Sequence, residues 1–233
     1  MRHLAWLFAL TLLAGCSGPT AESPSPDPPA SVEAPAGMGG AGTPGTEAVR
    51  APHADGATPT ASACDWRRIA LPEHRRQVEV TTASLRQRFQ VESADAERLA
   101  ALLARPALPL GGIAGGWRVR SLQLHDGTVY AYPFFDARIE ADPCGHRFAK
   151  TTGSQRRSGV LYPIEGTPDR LAFLGAATVN DDPPRAYDPE RPVETQFPGD
   201  ANSAGWLQRI GPDELLMVFD AEPGRFEAYL LQK

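Results

Sequence analysis

Hydrophobic positions divide the chain into three textures. Residues 4–14 form an apolar run, residues 17–63 hold no aromatic residue and no hydrophobic period, and apolar positions recur at structural spacings from about residue 64 onward. Val78, Leu85 and Phe89 follow one another at intervals of seven and four, and Pro72 stands where a first helical turn tolerates proline, which predicts a helix over 72–90. Ser93 can cap a second helix that carries Ala96, Leu99, Ala100 and Leu103 on one side and ends at Pro106. Gly111, Gly112, Gly115 and Gly116 then break the pattern.

From Trp117 the period becomes that of strands. β-branched and aromatic residues predict strands at 117–124, 128–135, 137–140, 146–151, 159–163, 170–179, 206–210, 214–220 and 225–231. Turn chemistry at His125-Asp126-Gly127, Gly211-Pro212-Asp213 and Glu222-Pro223-Gly224 separates several of them. Alternation is clearest in Leu171, Phe173, Gly175, Ala177, Val179 and in Leu215, Met217, Phe219. Short sequential links favour an antiparallel meander, which manages its edges best by closing. The expected fold class is α+β: two N-terminal helices packed on a mainly antiparallel β-sheet or a small lipocalin-like β-barrel. Residues 180–205, with five prolines and no periodicity, are too long for an ordinary link and read as either disordered or functional, the functional version being a lid over a barrel mouth.

The apolar run behind Arg2 and His3 is too short to span a bilayer and suits the core of an export signal. It ends in Leu13-Ala14-Gly15-Cys16, which resembles the lipobox of bacterial lipoproteins, so residues 1–15 read as a signal peptide and Cys16 as the lipidated first residue. Two or more acyl chains would anchor it stably, and Ser17 behind the cysteine points to the outer membrane, facing the periplasm. Residues 17–63 contain 37 Pro, Gly, Ala, Ser or Thr in 47 positions and cannot bury enough apolar surface to offset chain entropy. Residues 16–63 are therefore expected to be a disordered tether spanning roughly 35 to 40 Å, and 64–233 a single domain.

Three cysteines are an odd number for an exported protein. Lipidation of Cys16 would leave Cys64 and Cys144 as a pair in an oxidising compartment, and a disulfide between them is expected. A metal site built on Cys144, His146, Cys64 and Asp65 is the rival.

Charge narrows the partners. Without the signal and tether charges, residues 64–233 carry 21 basic and 23 acidic side chains, a balance that recommends no nucleic acid. No phosphate-binding or dinucleotide glycine motif occurs, and neither Gly-x-Ser-x-Gly nor Ser-x-x-Lys frames a serine. His74, His125 and His146 have no recognisable partner; Asp181-Asp182 and Glu190 with Glu194 could pair as glycosidase carboxylates but lie in the proline-rich loop. Asp200 to Gly205 starts like a calcium loop and lacks its later ligands. No cofactor and no metal is expected.

One window concentrates polar chemistry: Phe148 to Pro163, FAKTTGSQRRSGVLYP. Its flanks read as strands 146–151 and 159–163, making it a hairpin whose tip, Gly153 to Ser158, carries Arg156 and Arg157. A ligand or partner contact there would use Lys150, Gln155, Arg156 and Ser158.

This window, together with Cys64-Asp65-Trp66-Arg67-Arg68-Ile69-Ala70, Arg170-Leu171-Ala172-Phe173-Leu174-Gly175 and Arg209-Ile210-Gly211-Pro212, resembles an uncharacterised bacterial family of secreted proteins and lipoproteins, domain of unknown function 4893. The resemblance spans most of 64–233 and implies no particular chemistry. A weaker likeness is to the calycin barrels, whose first strand opens on Gly-x-Trp, here Gly115-Gly116-Trp117; it implies a pocket behind the tryptophan.

The expected function is that of a non-enzymatic binding module anchored to the membrane through Cys16, holding a small apolar ligand or a periplasmic partner protein. The alternatives are a hydrolase acting on an envelope polymer and a barrel-type inhibitor of a periplasmic enzyme.

Overall fold

The computed structural model describes residues 61–191 and 202–233, all within one unit, His53–Lys233. The expected signal peptide 1–15, Cys16, the expected tether through residue 60 and residues 192–201 of the proline-rich loop lie outside the described residues.

Eight strands run in chain order around a closed antiparallel barrel: β1 Gly115–His125, β2 Thr128–Asp142, β3 Gly145–Lys150, β4 Gln155–Ile164, β5 Thr167–Val179, β6 Asn202–Gly211, β7 Glu214–Glu222 and β8 Arg225–Gln232. Closure comes from β1 on β8, from Arg118↔Gln232 to His125↔Arg225. The two strands expected at 128–135 and 137–140 are one, because Asp136 pairs with Arg118 and carries the ladder through.

The lumen is filled by residues at alternate positions, including Trp117 and Val119 of β1, Phe148 of β3, Leu161 of β4, Phe173 of β5, Met217 and Phe219 of β7 and Tyr229 of β8. Edge-to-face contacts link Phe173 to Phe219 at 5.1 Å and Phe219 to Tyr229 at 4.8 Å, with Phe148 6.1 Å from Phe173. Room for these rings comes from two facing glycines, since Gly159 pairs with Gly175. A Cβ on Gly175 would sit 2.5 Å from Phe173 Cζ, and one on Gly159 would sit 2.7 Å from the same ring. Trp117 donates its indole N–H to the Ile113 carbonyl at 2.9 Å and is itself lumen packing, so the Gly-x-Trp likeness brings no open pocket behind it.

The α+β assignment is corrected. The molecule is mostly the closed barrel, and its helices are short pieces on the outer wall: α1 Trp66–Ile69, α2 Pro72–Glu79, α3 Thr82–Arg86 and α4 Ala94–Ala104. The helix expected over 72–90 breaks because Val80 is extended and Thr81 caps a new helix, its hydroxyl accepting from the Ser84 amide at 3.1 Å. Ser93 does cap α4, accepting from Ala96 N at 3.1 Å. α3 and α4 bury Leu85, Leu99, Leu102 and Leu103 against Leu122, Trp206, Leu216, Val218 and Phe226. Each such leucine contributes about 1.5 to 3 kcal/mol of burial. α1 and α2 place Trp66 and Val78 on Tyr162, Ala172, Leu174 and Ala204. Strands β5 to β7 are thus buried on both faces, which explains runs such as Leu171 to Thr178 with no exposed position.

Cys64 and Cys144 form a disulfide with Cα atoms 5.0 Å apart. It consumes both thiols of the alternative metal site and ties the helical turn Ala61–Cys64 to the link between β2 and β3.

Candidate functional site

A cluster of polar residues enters the lumen at the end carrying the β1–β2, β3–β4, β5–β6 and β7–β8 connections. Arg157 projects inward from β4, in phase with Gly159 and Leu161, and is buried. Its guanidinium crosses to three other strands. It pairs with Glu227 of β8 through Nη1, donates from Nη2 to Asp220 Oδ2 of β7 at 2.7 Å, and donates from Nε to Ser203 Oγ of β6 at 2.9 Å. The Tyr229 hydroxyl accepts from Nη1 at 3.3 Å, and the guanidinium carbon lies 4.8 Å from the Phe219 ring centroid. The ion cluster therefore rests on the aromatic layer.

Each carboxylate is further held. Glu227 Oε1 accepts from Ser121 Oγ at 2.5 Å and from Gln123 Nε2 at 3.2 Å. Asp220 Oδ1 accepts from Ser203 Oγ and from the Ala204 amide, both at 3.1 Å. Asp220 reaches inward because the β7–β8 ladder is irregular between Phe219 and Glu222 and its own φ is +51°, a left-handed conformation that a non-glycine residue adopts at a cost. Burial alone would disfavour charge on Arg157, but Glu227 and Asp220 outweigh it and hold its pKa well above the usual arginine value. Burial likewise opposes ionisation of Glu227, yet Arg157, Ser121 and Gln123 together hold its pKa below the usual carboxylate value. Burial and the neighbouring Glu227 push the Tyr229 phenol up, so it stays protonated.

Outward from this cluster lies a polar mouth. Gln123 of β1 donates to Gln155 Oε1 of β4 at 3.1 Å, a bond between strands that are not neighbours in the sheet and that therefore spans the opening. Lys150, at the end of β3, is 6% exposed; its ammonium donates to the Gln155 carbonyl and sits 4.2 Å over the Phe135 ring. Burial lowers its pKa, Glu227 partly opposes this, and Arg157 and Arg156 add to it. Beside the mouth, β2 exposes Tyr130 at 52% and Tyr132 at 39%, and Tyr130 is the register partner of Gln123.

The four residues singled out in the sequence divide between two places. Lys150 and Gln155 join the mouth. Arg156 and Ser158 alternate to the outer wall, where Arg156 Nη2 donates to the Asp182 carbonyl at 3.2 Å and Ser158 Oγ donates to the Arg185 carbonyl at 3.2 Å. They fasten the segment that follows β5. That segment continues to Tyr187, whose hydroxyl accepts from the Leu71 amide at 2.9 Å and lies 2.6 Å from His74 Nδ1, and to Asp188, which exchanges hydrogen bonds with Asn202. Its described part is a strap along the outer wall rather than a lid. The hairpin tip is also shifted: the turn lies at Thr151 to Ser154, and Arg156 and Arg157 stand on β4.

Other candidates disperse. His125 faces the exposed Asp126 at 3.2 Å, Asp181 and Asp182 belong to the strap, Glu190 donates its amide to Asp188, and Glu194 lies outside the described residues. Asn202 to Gly205 are strand β6, while Asp200 and Ala201 lie outside the described residues. Among the described residues no three His, Cys, Asp or Glu side chains gather as a metal site, and no helix is long and apolar enough to cross a membrane.

The sequence pattern put Arg157 at a hairpin tip and singled out none of Glu227, Asp220, Ser203, Ser121 and Gln123. A usable signal existed in β8, where Glu227 is in phase with Tyr229 and Leu231 on the face that fills the lumen.

A side-chain-filled meander barrel, bonded across its lumen by a buried arginine and two carboxylates, is the class of protein that fold and site define. Within that class, the chain belongs to the family described as Domain of unknown function (DUF4893), which matches residues 66–228. No curated protein and no solved structure matches it.

Proposed function

We propose that the protein is an exported lipoprotein, lipidated at Cys16 and held in the outer membrane facing the periplasm, whose barrel is a non-enzymatic binding module for a periplasmic partner protein. The contact surface is the polar mouth with Tyr130, Tyr132, Lys150 and Gln155, continued on the outer wall by Arg156 and Ser158. The observation that carries this choice is the packed lumen: Phe148, Phe173, Phe219 and Tyr229 occupy the space a small apolar ligand would need, and the Arg157 cluster caps it. Exposed tyrosines beside arginine and polar amides are the composition of protein-contacting surfaces. The Cys64–Cys144 disulfide supports an oxidising compartment, and hence export.

The hydrolase reading fares less well on the same geometry. A glycosidase acid needs a raised pKa, whereas Glu227 is held ionised by Arg157.

A photoreactive residue at Tyr132 in the full chain, expressed in cells, is expected to give one discrete protein adduct that Arg156→Ala weakens. Lipid retained by the native protein in mass spectrometry after exposure to envelope lipid extract would instead favour a luminal ligand and overturn the surface reading. Cys16→Ser is expected to move the protein from the membrane fraction to the soluble periplasm; unchanged fractionation would remove the anchor from the proposal.

A further inference from the structure

A second polar recess lies far from the mouth in character and in its elements. It is a cleft of about 490 Å³ between α3, the chain just after α4, and the start of β5, lined among others by Thr82, Arg86, Arg105, Asp169, Arg170 and Gln208. Three guanidinium groups thus border one recess, and among the described residues only Arg105 has an ion-pair partner, Glu214 at 2.6 Å.

Arg170 is the unusual member. Its guanidinium lies 4.2 Å over the ring of Trp206, which is fully buried, and its Nη1 donates to the Val80 carbonyl at 3.3 Å. Among the described residues no carboxylate stands within ion-pair distance of it, although Asp169 borders the same cleft. Burial lowers its pKa, and Asp169 only partly opposes this. Arg170 is half-buried, and cations withdrawn from water even in part are ordinarily paired, because desolvation costs free energy. Here the stacking on Trp206 fixes the plane of the fork while most of its five donors stay uncommitted. Gln208, the register partner of Arg170 and only 3% exposed, adds an amide to the same wall, and Thr82 adds a hydroxyl.

We propose that this cleft is an oxyanion-binding site, taking a phosphate or carboxylate group in a bidentate grip on Arg170, with Arg86 at the exposed rim supplying the second cation. Planar forked donors match the oxygen spacing of both groups, and a charge-assisted pair would complete what the fold leaves open at Arg170. The volume admits a small organic anion or a lipid headgroup, not only the bare ion. This site is independent of the mouth described above, because it shares no residue with it.

The test uses the full chain carrying Cys16→Ser, with inorganic phosphate and with citrate as probes, followed by tryptophan emission because Trp206 underlies Arg170. A saturable change is expected with at least one probe, and Arg170→Gln is expected to weaken it at least tenfold. Arg86→Gln, which removes an exposed side chain and leaves the core untouched, should weaken it about threefold and serves if Arg170→Gln does not fold. Arg225→Gln, at the opposite end of the barrel, should leave it unchanged. Sedimentation with phosphatidylglycerol vesicles separates the sources: co-sedimentation reduced in Arg86→Gln and lost in Arg170→Gln assigns the oxyanion to a lipid headgroup, and a response to soluble probes without co-sedimentation assigns it to a free anion. No saturable response to phosphate, citrate or vesicles, or a response that Arg170→Gln and Arg86→Gln leave unchanged, would overturn the site.

Discussion

Arg157 on β4 reaches through the lumen to Glu227 on β8, joining strands that lie four places apart in the closed sheet. Both side chains are largely buried, at 10% and 12% exposure, so the pair excludes water from the end of the barrel while Asp220 and Ser203 complete the shell. Breaking such a pair from one side is costly, since it strands a buried charge.

Arg157→Met is accordingly expected to destabilise the domain by about 3 to 5 kcal/mol in urea unfolding, because Glu227 and Asp220 lose their shared cation. Arg157→Lys should recover less than half of the loss, as an ammonium cannot serve Glu227, Asp220 and Ser203 in one plane. The double variant Arg157→Met with Glu227→Gln should be more stable than Arg157→Met alone. A single variant as stable as wild type would mean that the cluster is not coupled to folding.

Glu227 links stability to acid. Its folded pKa lies below the unfolded value because Arg157, Ser121 and Gln123 outweigh burial, so its contribution is complete above the ordinary carboxylate range and is lost as pH falls through about 4.3 toward the depressed folded value. Melting temperature measured from pH 6 downward should fall less steeply in Glu227→Gln than in wild type over that window. Equal slopes would show that other carboxylates dominate acid unfolding.

His74 acts in a higher window. Burial lowers its pKa, with Asp220, Glu73 and Glu222 only partly opposing, so folding disfavours the imidazolium and stability declines as pH drops below about 6.5. Because Tyr187 Oη lies 2.6 Å from Nδ1, the strap is the element that should loosen first. Hydrogen exchange of the Leu71 amide, which donates to Tyr187, is expected to speed up between pH 7 and 5 beyond the intrinsic rate, and His74→Gln should remove that pH dependence.

The Cys64–Cys144 bridge closes a separation of 80 residues, which in the chain-entropy account stabilises the fold by about 4 to 5 kcal/mol. Cys64→Ser with Cys144→Ser, or reduction, should lower the unfolding midpoint by a corresponding amount without changing the barrel's far-ultraviolet signature. An unchanged midpoint would show that the unfolded chain is already constrained.

Gly175→Ala tests the aromatic layer. The added methyl would stand closest to the Ser158 carbonyl oxygen, with Phe173 Cζ at 2.5 Å and Gly159 Cα at 2.8 Å, so the β4 backbone as well as Phe173 must shift, at a cost of about 1 to 3 kcal/mol or more. Because the closest clash is with the Ser158 carbonyl, combining Gly175→Ala with Phe173→Leu should recover only the part of the loss that falls on the ring, a coupling that a double-mutant cycle in urea reads directly.

What the sequence by itself determined are the features set by neighbours along the chain. Ser93 marked the start of α4, and turn residues such as His125-Asp126-Gly127 and Glu222-Pro223-Gly224 marked strand ends. The pairing of Cys64 with Cys144 followed from counting cysteines. What only the tertiary structure decided are the features set by residues distant in sequence. The order of the barrel wall was legible in the sequential turns, but that helices α1 to α4 are patches on its outside, burying the second face of β5 to β7, was decided by contacts between residues far apart in the chain. Arg157 read as part of a hairpin tip, whereas the turn lies at Thr151 to Ser154, where Gly153 takes a φ of +88°, and places Arg157 on β4 facing inward. Glu227, Asp220 and Ser203 lie 70, 63 and 46 residues from Arg157. Local propensity acts within a few residues, while a buried charge is stabilised by whichever strands the closed sheet brings across the lumen.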